Sequence, residues 1–89
     1  MASYQIDWKS SARKELRKLP SGMIQKIMAE VESLGENPFP PGCRKLTGSE
    51  QTWRIRIGNY RVIYNVLSSI LVIEIVRVAH RKDAYSRGQ

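Results

Sequence analysis

Hydrophobic and polar positions alternate most regularly between residues 53 and 66, where the pattern predicts two β-strands joined by a tight turn. Gly58-Asn59 suits a two-residue primed turn with glycine first, which sets Arg56 opposite Arg61. Directly paired residues share a face of a sheet, so one face of this hairpin is apolar. That face carries Trp53, Ile55, Ile57, Tyr60, Val62, Tyr64 and Val66.

The remaining pattern predicts an α+β fold. Residues 4–8 alternate as a short first strand, and apolar residues then recur at helical spacing over 10–19 and over 24–34. An apolar run at 71–78 predicts a last strand after a second turn. We expect a single domain, 1–89, with the order β-α-α-β-β-β and a short C-terminal tail or helix. In it an antiparallel helix pair packs on one face of a small antiparallel sheet.

The second face of the hairpin is cationic, and we call its residues Arg54, Arg56 and Arg61 the arginine face. Arg56 and Arg61 are cross-strand neighbours, and like charges in such a pair cost about 0.2–1 kcal/mol. A solvated surface could tolerate that cost. Three guanidinium groups on one flat surface nevertheless match phosphate oxygens bidentately, which solubility alone does not require. We therefore predict that this surface binds a polyanion.

The charge distribution supports this prediction. The chain of 89 residues has a formal net charge of +7, and 42% hydrophobic with 26% charged residues is a normal globular composition. Residues 1–43 contain 6 basic and 5 acidic side chains, whereas residues 44–89 contain 9 basic and 3 acidic ones. The excess lies in the half that contains the arginine face. It indicates a nucleic acid or an acidic protein as partner.

Cysteine content and the N-terminal residues indicate the compartment. Cys43 is the only cysteine, which excludes an internal disulfide, and one cysteine with one histidine cannot form a zinc site. The first residues show no charged leader followed by an apolar stretch, and no apolar run reaches the length of a membrane span. We therefore expect a cytoplasmic protein that does not bind membranes.

The end of the last strand contains the candidate for proton transfer. Strict alternation places His80 on the arginine face and Arg81 on the other, although a bulge would redirect both. His80 is the one side chain whose unperturbed pKa lies near neutrality, which suits general acid–base catalysis, but a lone histidine is more often structural. Glu74 is expected diagonal to Arg61, where it could hold that guanidinium in place.

Three motifs then resemble a known family. They are Lys45-Leu46-Thr47-Gly48, residues 53–64 (WRIRIGNYRVIY) and residues 78–85 (VAHRKDAY). In order and spacing they resemble the RelE/ParE superfamily of bacterial and archaeal toxins, and the last motif resembles the RelE branch in particular. The resemblance implies a type II toxin that acts as a ribosome-dependent endoribonuclease. Such a toxin cleaves mRNA in the A site, inhibits translation and is neutralised by an acidic, RelB-like antitoxin.

The resemblance also implies a site and a chemistry. Catalysis would need no metal or other cofactor and would leave a cyclic phosphate and a 5′-hydroxyl. Arg61 would clamp the phosphate, Arg81 would stabilise or protonate the leaving oxygen, and Tyr85 would orient or stack the substrate. The implied catalytic residues are Arg54, Arg56, Arg61, Arg81 and Tyr85, with His80 added as a possible base. Contacts to RNA or ribosome are expected from Arg44, Lys45, Lys82 and Arg87.

Two questions stay open at this point. Relatives often carry lysine where this chain has Arg54 and Arg56, and arginine is a poor proton acceptor because its pKa exceeds 12. The base could be His80 or a group of the ribosomal RNA, or catalysis could rest on orientation and charge stabilisation. The function itself has two alternatives, which are a ParE-like poison of DNA gyrase and a small RNA-binding module without catalysis.

Overall fold

The computed structural model describes residues 3–80 and residue 82. Two helices and five strands form the described chain. In chain order they are β1 (Gln5–Trp8), α1 (Ser10–Arg17), α2 (Ser21–Leu34), β2 (Arg44–Lys45), β3 (Thr52–Ile57), β4 (Tyr60–Leu67) and β5 (Val72–His80). The strands lie in one sheet in the order β1-β5-β4-β3-β2. The predicted α+β class and helix pair are confirmed.

The sheet is mixed, which corrects the prediction of an antiparallel one. β1 runs parallel to β5, with Gln5 opposite Val72 and Trp8 opposite Ile75, whereas the other neighbouring strands are antiparallel. The period-two alternation of a strand reports its faces but not the direction of its neighbour, so the sequence could not distinguish the two arrangements. The two-residue strand β2 is an additional element that the predicted order did not include.

The central hairpin has the predicted register. Arg56 lies opposite Arg61 and Ile55 lies opposite Val62. Gly58 has a φ of +59°, the left-handed conformation that a primed turn requires at its first position and that glycine adopts without steric cost. This turn places the apolar face and the arginine face on opposite sides of the sheet.

The hydrophobic core lies between the apolar face of the sheet and the two helices. α1 packs mainly along β5, while α2 packs against β1 and β3. The buried core residues are Ala12, Leu16, Ile27, Val31, Leu34, Ile55, Ile57, Val62, Tyr64, Val66, Ile73, Ile75 and Val78. Leu71, the first residue of the predicted last strand, instead lies in the β4–β5 turn and is 42% exposed. Within the described residues, neither helix combines the length and apolar character needed to cross a membrane.

A β-bulge in β5 changes which side chains share a face. Ile63 lies opposite Arg77 and Tyr64 lies opposite Ile75, which leaves Val76 as the extra residue. Beyond the bulge the alternation of β5 is therefore reversed. His80 lies opposite Tyr60, on the face away from Arg61, so the placement expected from strict alternation is wrong.

Candidate functional site

The arginine face is built by the alternation of β3 and its pairing with β4. Arg54 and Arg56 are two positions apart on β3, and Arg61 of β4 lies opposite Arg56. The three side chains differ in exposure: Arg56 is exposed, Arg54 is partly buried and Arg61 is only 3% exposed. The predicted flat cationic surface is therefore layered. Arg56 presents its charge to solvent, and Arg61 adds charge from below the surface.

A fourth arginine extends this face across the edge of the sheet. Arg44 of β2 lies opposite Arg54, so the two share a face. An edge cleft of about 340 Å³ opens beside them. It is lined by Glu30, Pro40, Pro41, Gly42, Arg44, Arg54, Ile55 and Arg56. Three of these lining residues are arginines against one acid, so the cleft favours an anionic occupant.

Lys45 does not join the arginine face. It lies opposite Trp53, on the apolar side of β3, and its ammonium is 3.9 Å from the carboxylate of Glu50 in an exposed ion pair. The sequence grouped Lys45 with Arg44 because the two are adjacent. Adjacent residues of a strand point to opposite faces, and the structure separates them accordingly.

A row of polar side chains continues the face beyond Arg54. Thr52 donates a hydrogen bond from its hydroxyl to Asn65 Oδ1 at 2.6 Å, and Asn65 Nδ2 donates to Glu74 at 3.0 Å. Glu74 thus lies opposite Asn65, while Arg61 lies opposite Ala79. The expected position of Glu74 beside Arg61 is wrong, and its carboxylate supports the polar row instead.

His80 lies in a different environment from the arginine face. Its ring contacts Tyr60 edge to face, with 5.3 Å between the ring centroids. Its Nδ1 accepts a hydrogen bond from the backbone N–H of Lys82 at 3.3 Å, which in the neutral ring leaves the proton on Nε2. Neither feature directs a proton-accepting nitrogen towards the arginines. Arg81, Tyr85 and Arg87, also predicted as site residues, lie outside the described residues.

Glu15 is a polar contact that the sequence interpretation missed. It accepts hydrogen bonds from Arg77 Nε at 3.2 Å and Nη2 at 3.0 Å, and from the backbone N–H of Val78 at 2.7 Å. β1 pairs with β5 only as far as Ile75, so the carboxylate takes the place of a neighbouring strand at Val78. The available signal was that Glu15 is the single acidic residue of α1.

These groups define the chemistry that the site can support. Guanidinium groups bind phosphate oxygens and stabilise negative charge that develops on them, but they do not accept protons near neutral pH. Fold and charge together define a small α+β protein with a cationic sheet face.

Comparison with known proteins identifies the family. Residues 6–85 match the family model described as the ParE toxin of type II toxin–antitoxin systems. The chain is 31% identical over 88 residues to the toxin RelG of Mycobacterium tuberculosis. The match covers 94% of this chain and 98% of RelG. The chain therefore belongs to the RelE/ParE family and is a toxin of a type II toxin–antitoxin system, as the motifs suggested.

Solved structures support the same assignment. The archaeal RelE–RelB complex of Pyrococcus horikoshii contains a chain that is 28% identical, with a TM-score of 0.80 over 89% of this chain and 96% of that one. The RelBE2 toxin–antitoxin complex of M. tuberculosis contains one that is 27% identical, with a TM-score of 0.79 over 91% and 94% of the two chains. Both are complexes with an antitoxin.

Proposed function

We propose that this toxin is a ribosome-dependent endoribonuclease that cleaves mRNA in the A site and thereby inhibits translation. The observation that carries the proposal is the position of Arg54, Arg56 and Arg61 on one face of the sheet, with Arg56 exposed to solvent. The similarity to RelE toxins supports messenger RNA as the substrate that these arginines bind. Messenger RNA supplies the phosphates that such a face would bind.

The proposed reaction is an internal transfer at phosphorus. The 2′-oxygen of the RNA attacks the adjacent phosphorus as the 2′-hydroxyl proton leaves, and the bond from phosphorus to the 5′-oxygen breaks. The leaving 5′-oxygen takes up a proton, so the products are a cyclic phosphate and a 5′-hydroxyl. Arg56 and Arg61 stabilise the charge on the non-bridging oxygens, and Arg54 holds a neighbouring phosphate. Arg81 would stabilise or protonate the leaving oxygen, and Tyr85 would orient the substrate or stack on its nucleobase.

We assign no proton transfer to His80. Its ring contacts Tyr60 on the face away from Arg61, and its Nδ1 already accepts a hydrogen bond from Lys82. The arginines then supply most of the rate acceleration through orientation and charge stabilisation, and a group of the ribosomal RNA takes up the 2′-hydroxyl proton. Positioned donors of this kind contribute about 10²–10³ in rate each.

The proposed partners follow from charge and family. With a net charge of +7, the chain fits an acidic RelB-like antitoxin, as well as the ribosome and its mRNA in the cytoplasm. The antitoxin would inhibit most directly by covering the arginine face, since acidic side chains would compete there with RNA phosphates. The RelB-bound relatives support this choice of partner.

A second candidate function is poisoning of DNA gyrase, which the ParE description of the family model favours. Mapping RNA ends after brief expression of the toxin distinguishes the two. We expect new 5′-hydroxyl ends within translated codons, and their loss when translation initiation is blocked. Intact mRNA together with gyrase-linked DNA breaks would contradict the nuclease and support the second candidate.

A further inference from the structure

A second cleft lies at the end of the sheet, on the side away from the arginine face, and we call it the Tyr60–His80 cleft. Its volume is about 330 Å³. Lys18 and Leu19, which directly follow α1, line the cleft together with the two rings. The remaining lining residues are Glu15, Arg77, Val78 and Ala79. Small-molecule sites begin at about 300 Å³, so one nucleotide fits this volume.

The chemistry of this cleft combines aromatic rings with positive charge. The rings of Tyr60 and His80 meet at 81°, and such an edge-to-face contact leaves ring faces on which a planar group can stack. Glu15 is paired with Arg77 at 3.0 Å, so its charge is offset within the wall. Lys18 is exposed and adds a cation at the rim. Aromatic faces beside a cation are the combination that binds single-stranded nucleic acid without sequence readout.

We propose that the Tyr60–His80 cleft binds one nucleotide of the mRNA strand next to the cleaved bond. Its base stacks on the His80 ring, which Tyr60 supports edge to face, and the Lys18 ammonium binds its phosphate. Continuity with the arginine face favours RNA over a protein segment as the occupant. Tyr60 and Arg61 are adjacent in β4 and point to opposite faces, so a strand that passes the end of the sheet reaches both sites. This inference rests on the proposed nuclease function.

The substitution His80→Phe separates stacking from proton transfer. Phenylalanine keeps an aromatic face and cannot carry a proton, whereas His80→Ala removes both properties. Lys18→Gln removes only the cation at the rim. Arg17→Gln is the matched control, because Arg17 is an exposed cation one position earlier in the chain but borders a different groove, beside Trp8 and Met28.

Two readouts on programmed ribosomes test the proposal with the full chain. One is the Kd for ribosomes whose A-site codon is blocked from cleavage by 2′-O-methyl groups, and the other is the cleavage rate on the unmodified codon. We expect His80→Ala to weaken binding about 5- to 100-fold, the range for loss of one stacked base, while His80→Phe stays within a few-fold of the parent. Lys18→Gln should raise Kd severalfold, and Arg17→Gln should leave it unchanged.

Failure of this inference is distinguishable from failure of the proposed function. If the parent binds the blocked ribosomes but never cleaves, the nuclease proposal fails and the Kd series still decides on the cleft. If the parent cleaves and all variants bind equally, the cleft is not an RNA subsite. His80→Phe that binds as tightly as the parent but cleaves as slowly as His80→Ala would show proton transfer instead of stacking. Variants that bind ribosomes as the parent does but bind the antitoxin more weakly would assign the cleft to a protein partner and overturn the proposal.

Discussion

At the scale of single residues, Tyr64 shows how a polar group is accommodated in this core. Its side chain is fully buried, and its hydroxyl donates a hydrogen bond to the carbonyl oxygen of Pro38 at 2.7 Å. Burial, and then the adjacent Cys43, raise the pKa of Tyr64 well above its ordinary value of 10.0. The phenol therefore stays protonated in the folded protein under conditions in which it ionises in the unfolded chain.

Tyr64→Phe tests this state of the phenol. Loss of the hydrogen bond should lower the free energy of unfolding by about 1 kcal/mol near neutral pH. Above pH 10 the unfolded chain loses the Tyr64 proton while the folded protein keeps it, so the stability of the parent falls as pH rises. The variant lacks this contribution. Denaturant titrations should show the difference between the two proteins shrinking above pH 10, and a constant difference would contradict the raised pKa.

Residue-level exposure also changes how Arg61 should be treated in experiments. The sequence suggested that Arg61→Ala would relieve repulsion with Arg56 at little structural cost. Arg61 is 3% exposed, so its truncation would also remove packing and leave a cavity, which usually destabilises. A loss of toxicity on that substitution would not distinguish catalysis from unfolding. Arg56, which is exposed, is the cleaner position to test.

At the scale of elements, Glu15 fastens α1 to the part of β5 that β1 leaves uncovered. Glu15→Ala should lower the free energy of unfolding by about 1–3 kcal/mol, because it leaves the Val78 N–H and the Arg77 guanidinium without this acceptor. Glu15→Gln keeps an oxygen acceptor and should cost less. Glu32→Ala, an exposed position on α2, is the control. Equal melting temperatures for all three variants would contradict this role for Glu15.

Elements also show where prediction from sequence succeeds and where it stops. The hairpin register was predictable because alternation, Gly58 and a two-residue loop all specify the same pairing. The parallel direction of β1 was not, because alternation is the same in either direction. The bulge at Val76 has no composition signal in an apolar run, yet it moved His80 to the other face. The arginine face was therefore predictable, and the position of the candidate base was not.

At the level of the whole molecule, the two faces of the sheet differ in what covers them. The helices cover the apolar face. The arginine face holds three like charges that are buried to different extents, an arrangement that costs stability and that a purely structural surface does not need. The net charge of +7 adds a general attraction for RNA, but it does not position a particular phosphodiester bond for cleavage. The proposed function requires that the exposed guanidinium of Arg56 acts on the phosphate that is cleaved.

Single-turnover cleavage on programmed ribosomes by Arg56→Gln tests that claim most directly, with Arg13→Gln, which alters an exposed cation on α1, as the charge-matched control. We expect Arg56→Gln to keep the parental melting temperature and to slow cleavage roughly 10²- to 10³-fold, because one donor to the developing charge is lost. Arg13→Gln should cleave at the parental rate. Cleavage by Arg56→Gln at the parental rate, or an equal loss in both variants, would contradict the proposed role of Arg56.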